Sequence, residues 1–127
     1  MNTISLYLNC LTKLYKLPSY SPALIEEFLK IVDSDGIIEL TKWRKENIAQ
    51  SIGINVYTIN NALQVYKSKK IVSWEAVSVF SLNKDLFGTV FNNLYDEGFP
   101  ELEIIFSRII SCNSSVDKVV FRKVGAV

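Results

Sequence analysis

The stretch Lys45-Glu-Asn-Ile-Ala-Gln-Ser-Ile-Gly-Ile-Asn-Val-Tyr-Thr-Ile-Asn-Asn-Ala-Leu-Gln64 decides the fold of this chain. Two short helices that cross at a tight turn make particular demands on sequence. The first helix and its turn need apolar groups, and Ile48, Ile52 and Ile54 supply them. Where the helices cross closely only a small side chain fits, and Ala49 stands there. The turn favours a residue tolerant of positive φ, which Gly53 provides. The second helix must return apolar groups to the core, and Val56, Ile59 and Leu63 do so beside small Ala62. Any amphipathic helix pair shows apolar periodicity, but such a pair has no preference for Ala and Gly at fixed places. The pattern predicts a helix-turn-helix, with helices over 42–52 and 56–67 capped by Thr41 and Asn55.

The outer face of the second helix is left with Tyr57, Thr58, Asn60, Asn61 and Gln64. A plain solvated face more often carries Glu and Lys. Asn and Gln pair bidentately with adenine in the major groove, and Thr can meet a thymine methyl. These five residues are therefore the expected base contacts. Phosphate contacts are expected from the flanks: Lys42, Arg44 and Lys45 before the turn, Asn55 at the second helix N-terminus, and Lys67, Lys69 and Lys70 after it. The N-terminal amides of the second helix add a further place for a phosphate.

Charge is distributed to match. The net charge is only +1, yet residues 42–70 carry Lys42, Arg44, Lys45, Lys67, Lys69 and Lys70 against Glu46 alone. The segments on either side are each net acidic. A phosphate-binding surface produces such an asymmetry, although a solvated lysine face would too.

Outward from this centre, Ile4, Leu8, Leu11 and Tyr15 favour a helix over 4–16, although Ile4, Leu6 and Leu8 also alternate like a strand. Ser21 as N-cap, Pro22 in the first turn and the stripe Leu24, Ile25, Phe28, Leu29 and Val32 mark a second helix. Asp33-Ser-Asp-Gly36 closes it as a turn, and Ile37, Ile38 and Leu40 read as a short strand. Ile71 to Phe80 holds β-favouring residues in two runs, predicting a hairpin with its turn near Glu75. Trp74 and Glu75 fall near its tip, where Trp74 is either a sugar-phosphate contact or, more commonly for a large aromatic, core. Asn83 then caps a helix to Glu97 that stops at Gly98. Pro100 opens a last helix striped by Leu102, Ile105, Phe106, Ile109 and Ile110, and 116–124 suits a closing strand.

Composition excludes several chemistries. There is no histidine, so histidine-based zinc sites, Ser-His-Asp hydrolysis and Cys-His proteolysis are out. No CxxC pair, GxxxxGK or GxGxxG occurs, so no metal, cofactor or catalytic residue is expected and the chain does not read as an enzyme. Cys10 and Cys112 lie among apolar neighbours and read as free, buried thiols. No apolar run approaches the ~20 residues of a bilayer span, and the opening lacks the layout of a secretory signal. An intracellular, cytoplasmic protein is expected.

From about Leu6 to Gly88 the chain resembles the winged-helix proteins of plasmid and phage replication, including those of small Gram-positive plasmids. The resemblance rests on Ile48-Ala49, Ile52-Gly53-Ile54, Thr58-Ile-Asn-Asn-Ala-Leu63, Ile71-Val72, Val79-Phe-Ser-Leu-Asn83 and Leu86-Phe87-Gly88. Lys84 stands where a proline is usual, and Ser68-Lys69-Lys70 replaces the Lys-Lys-Gly that often precedes the wing. Winged-helix transcription regulators share most of these motifs. The expected architecture is thus one mostly α domain over 1–127 with a small β-hairpin wing (α+β), its core at about 21–83. An N-terminal extension (1–20) and a C-terminal helical extension (84–127) complete it. The resemblance implies double-stranded DNA as partner, in replication initiation or control. Transcriptional regulation is the alternative role, and a protein–protein adaptor built on the same helix pair is a second one. The two C-terminal helices, with their broad apolar stripes, either complete the core or form a homodimer interface.

Overall fold

Apolar spacing accounts for the helices of this protein and polar side chains for their ends. The structure, a computed structural model, describes residues 3–87, 102–110 and 115–123. Helix α1 (Thr3–Tyr15) turns Tyr7, Leu8, Leu11 and Tyr15 inward. Helix α2 (Ser21–Ile31) buries Leu24, Ile25 and Phe28 against them. Each such side chain, removed from water, contributes about 1.5–3 kcal/mol before entropy is counted. The Asp33 carboxylate accepts the N–H groups of Asp35 and Ile37 at 2.8 and 2.9 Å, so the chain reverses into β1 (Ile37–Glu39).

Helix α3 (Lys42–Ile52) starts where the Thr41 hydroxyl accepts the Arg44 N–H at 3.2 Å. It stops at Gly53, whose φ of 77° lies in the left-handed region. There the N–H groups of Gly53 and Ile54 both return to the Ala49 carbonyl at 3.0 Å. After this turn Asn55 Oδ1 accepts the Thr58 N–H at 2.8 Å and launches α4 (Val56–Ser68). Ile48, Ala49, Ile59, Ala62 and Leu63 are all buried at the junction, with Ile52, Ile54 and Val56 half-buried around it. The small residues lie where the helices crowd, as the spacing predicts.

Strands β2 (Val72–Ala76) and β3 (Val79–Leu82) form an antiparallel hairpin, and β1 adds to the far side of β3, giving the order β1-β3-β2. The Leu40 N–H donates to the Ser78 carbonyl at 2.6 Å and ties the hairpin tip to the end of β1. Asn83 Nδ2 donates to the Lys70 carbonyl at 2.8 Å, fastening the connection between α4 and β2 to the end of β3. A short helix α5 (Lys84–Phe87) follows, and the Leu86 carbonyl accepts the buried Tyr7 hydroxyl at 2.7 Å. The fold is α+β among the described residues: mostly helical, with a small three-stranded antiparallel sheet and a separate two-stranded one. Among the described residues no helix is long and apolar enough to cross a membrane.

Five expectations are corrected. The helix expected over 102–110 is instead strand β4 (Leu102–Ile110), paired antiparallel with β5 (Ser115–Lys123) from Leu102↔Lys123 to Ile110↔Ser115. Its stripe fits a helix, but an apolar run is ambiguous by periodicity alone. Four isoleucines in nine residues and a Val-rich partner run decide for strands. The C-terminal extension is therefore not helical there, and the dimer surface placed on two C-terminal helices loses the second of them. The helix expected to Glu97 is described only as far as Phe87, and the rest lies outside the described residues.

The hairpin turn sits at Val77–Ser78 rather than near Glu75, because a bulge between Trp74 and Ala76 shifts the pairing and Ser78 takes φ 63°. Ser21 does not cap α2. It is buried as the first helical residue, and its Oγ accepts the Tyr66 hydroxyl at 2.7 Å, joining α2 to α4. Trp74 is 56% exposed rather than core. Cys10 is exposed as well, because it lies between Leu6 and Leu14 on the outward stripe of α1. Cys112 lies outside the described residues.

Candidate nucleic-acid interface

With Ile59, Ala62, Leu63 and Tyr66 buried, the remaining positions of α4 form a continuous outer stripe. Tyr57, Asn60, Asn61 and Gln64 fall at i, i+3, i+4 and i+7, all exposed, with Tyr57 the most open at 73%. Lys67 and Ser68 continue the stripe for another turn. None of these residues is acidic, so nothing on the face of α4 itself repels an anion.

Thr58 is different. It is half-buried, and both its N–H and its hydroxyl donate to Asn55 Oδ1, the latter at 3.0 Å. Asn55 and Thr58 thus brace each other at the start of α4. Their polar groups serve the cap before any ligand, and Thr58 offers outward mainly what its methyl can touch.

The expected phosphate groups divide in two. Lys45 reaches from α3 across to α4 and donates from Nζ to Asn60 Oδ1 at 2.8 Å. Lys67 stands further along α4, and the two lysines flank one concavity of about 270 Å³ together with Asn60 and Gln64. Leu63 and Phe80 line its interior, and Trp74 closes it from the β2–β3 hairpin. Register explains the position of Trp74: it pairs directly with Phe80, so both project from the same face of the hairpin. Ser73 and Ser81, the next pair along, project from the opposite face, and there Ser81 Oγ donates to Glu75 Oε1 at 2.7 Å. The carboxylate nearest to Trp74 in sequence is thereby occupied by Ser81 and does not line the concavity.

The other cations surround this centre less tightly. Lys42 is exposed one turn before Lys45 on α3. Arg44 is half-buried and commits Nη1 to the Glu39 carbonyl at 3.1 Å, which fixes α3 against β1 and leaves the rest of the guanidinium fork for a ligand. Lys69 and Lys70 form the turn after α4, with Lys70 at φ 62° and its carbonyl held by Asn83.

Trp74 is the residue that sequence reasoning undervalued. The available signal was its alternation with Val72 along β2, which puts both on one face, but only the tertiary position of the hairpin shows that this face overhangs α4. Among the described residues no group of three or more His, Cys, Asp or Glu side chains comes together as a metal site. Comparison with protein-family models, with curated proteins and with solved structures finds no match to this chain.

Proposed function

We propose that this protein binds double-stranded DNA in a sequence-specific way as a winged helix-turn-helix domain, with α4 in the major groove and the β2–β3 hairpin as the wing. The observation that carries this reading is the exposed, carboxylate-free stripe of Tyr57, Asn60, Asn61 and Gln64 on α4. Side-chain amides are the groups that read adenine edges bidentately, and an α-helix is the element that fits the major groove. The element order helix–helix–strand–helix–helix–hairpin supports it, as does the hinge at Gly53 between α3 and α4.

Division of labour follows from the chemistry. Asn60, Asn61 and Gln64 read base edges, Tyr57 and the Thr58 methyl pack on thymine methyls or sugars, and the lysines grip phosphates. Asn55 acts through the cap that aims α4. Initiation or control of plasmid or phage replication is the role that the resemblance in sequence favours.

The test is fluorescence anisotropy on a mixed-sequence duplex of about 30 base pairs at stepped salt. Binding at micromolar protein is expected, weakening with salt along a log–log slope of roughly −3 to −5, about −0.9 for each phosphate neutralised. Absence of duplex binding at ~100 µM protein in low salt contradicts the proposal, since nonspecific binding by a basic face falls within that range.

A further inference from the structure

The concavity between α4 and the β2–β3 hairpin shares Lys45, Asn60, Gln64 and Lys67 with the proposed duplex face, but Trp74 adds to it an aromatic wall that a duplex in the major groove does not use. A stacked base pair presents only its edges, and its planar faces are covered by its neighbours. Yet here a half-exposed indole, Trp74, forms a wall of a recess of about 270 Å³, with lysines on its flanks and amides beside it. An indole offers a planar π-face, and that face is matched by the face of an unpaired base. The recess lies just below the ~300–1,000 Å³ of drug-sized ligand pockets, which favours a small occupant over an extended one.

We infer that this recess takes a single unpaired nucleotide of a DNA strand, its base stacked on Trp74 and its phosphate between Lys45 and Lys67. Gln64 lines the same recess as an amide available to the base edge, and Leu63 and Phe80 add apolar lining. Stacking on an aromatic is tolerant of base identity, so the recess selects unpaired over paired DNA rather than one sequence over another. This inference rests on the nucleic-acid reading of the α4 face and adds to it a second, single-stranded ligand.

Trp43 and Trp74 are the two tryptophans of the chain, so Trp43→Phe leaves Trp74 as the sole indole reporter. Trp43 is itself exposed, so that change leaves the core intact. In this background the emission of Trp74 is followed while a 12-nucleotide oligothymidine, or a blunt duplex, is added at low salt. Quenching by half or more with the single strand, and by little with the duplex, is expected. Trp74→Ala then weakens single-strand binding about tenfold or more and duplex binding by a clearly smaller factor, and Trp74→Phe restores part of the single-strand loss.

If the duplex binds but the single strand neither quenches nor competes, the inference is overturned and the duplex reading stands. If Trp74→Ala weakens both ligands equally, the recess is part of the duplex interface and the inference is again overturned. Binding of the single strand alone supports the recess and contradicts the duplex reading. Binding of neither overturns both.

Discussion

Lys45 Nζ and Asn60 Oδ1 lie 2.8 Å apart, joining α3 to α4 across the turn at Gly53. An ammonium only donates, so it fixes the Asn60 amide with its oxygen toward Lys45 and its NH₂ turned away. On the proposed reading, Asn60 is thereby pre-set as a donor toward a purine N7, with one lone pair left on Oδ1. Lys45→Ala is therefore expected to reduce discrimination between sequences as well as affinity. Lys67→Ala is expected to reduce duplex affinity without changing discrimination between sequences. A double-mutant cycle of Lys45→Ala with Asn60→Ala, measured on a preferred and a scrambled duplex, should show coupling of about 0.5 kcal/mol or more on the preferred one. Strict additivity would mean that the contact does not orient Asn60.

Lys69 stands at the end of α4, beyond the amide stripe. Lys69→Ala is expected to weaken binding to all duplexes by a similar factor and to lower the magnitude of the salt slope by about 1. Asn61→Ala should do the reverse, flattening sequence preference by about 1–3 kcal/mol at one base position with the salt slope unchanged. Anisotropy at four or more salt concentrations separates the two.

Gly53 tests the hinge. A Cβ built there meets nothing within 4 Å, so Gly53→Ala adds no clash and its cost is the left-handed backbone itself. That cost is about 1–2 kcal/mol. Denaturant unfolding should show a loss of this size for Gly53→Ala and a smaller one for Gly53→Asn, because Asn tolerates this region better. Equal stability of all three chains would contradict the cap geometry.

Two buried phenols give the fold an alkaline limit. Burial raises Tyr7 well above the ordinary phenol value, with Tyr15 adding to the effect. Burial likewise raises Tyr66, against a smaller opposing influence of its hydrogen bond to Ser21. In the unfolded chain both ionise near pH 10, whereas the folded protein keeps them neutral. Their contribution is complete below pH 10 and is lost as pH rises above it, at about 1.4 kcal/mol per pH unit for each tyrosine. Unfolding free energies at pH 8 to 11.5 should fall along that line, and Tyr66→Phe should roughly halve the slope at some cost in stability at neutral pH. The cost arises because the buried Ser21 hydroxyl loses its partner.

The helix pair was legible because sterics leave few residues for its special positions: Ala49 and Ala62 where backbones approach, Gly53 where φ is positive, and Thr41 and Asn55 as caps. The outward stripe of α4 follows from the same periodicity once its inward residues are known. What was not legible depends on contacts distant in sequence. The reach of Lys45 to Asn60 depends on how α3 crosses α4. The use of the Ser21 hydroxyl by Tyr66 joins residues 45 positions apart and displaces a capping role that local sequence favoured. The position of the hairpin turn depends on a bulge after Trp74 and on Ser78, a residue that gives no advance sign of positive φ. Leu102 to Ile110 misleads for another reason: one apolar pattern satisfied both periodicities, and the strand-forming bulk of its isoleucines settled which was adopted.

The most direct measurement is selection from a random-sequence duplex pool, carried out in parallel with the wild-type chain and with the triple variant Asn60→Ala, Asn61→Ala, Gln64→Ala. All three residues are exposed, so the variant is expected to keep the fold, which circular dichroism verifies. The wild type should enrich a short motif containing adenine at fixed positions, while the variant retains salt-sensitive binding and enriches none. An unenriched pool with the wild type, or the same motif recovered with the variant, would contradict readout by the α4 face.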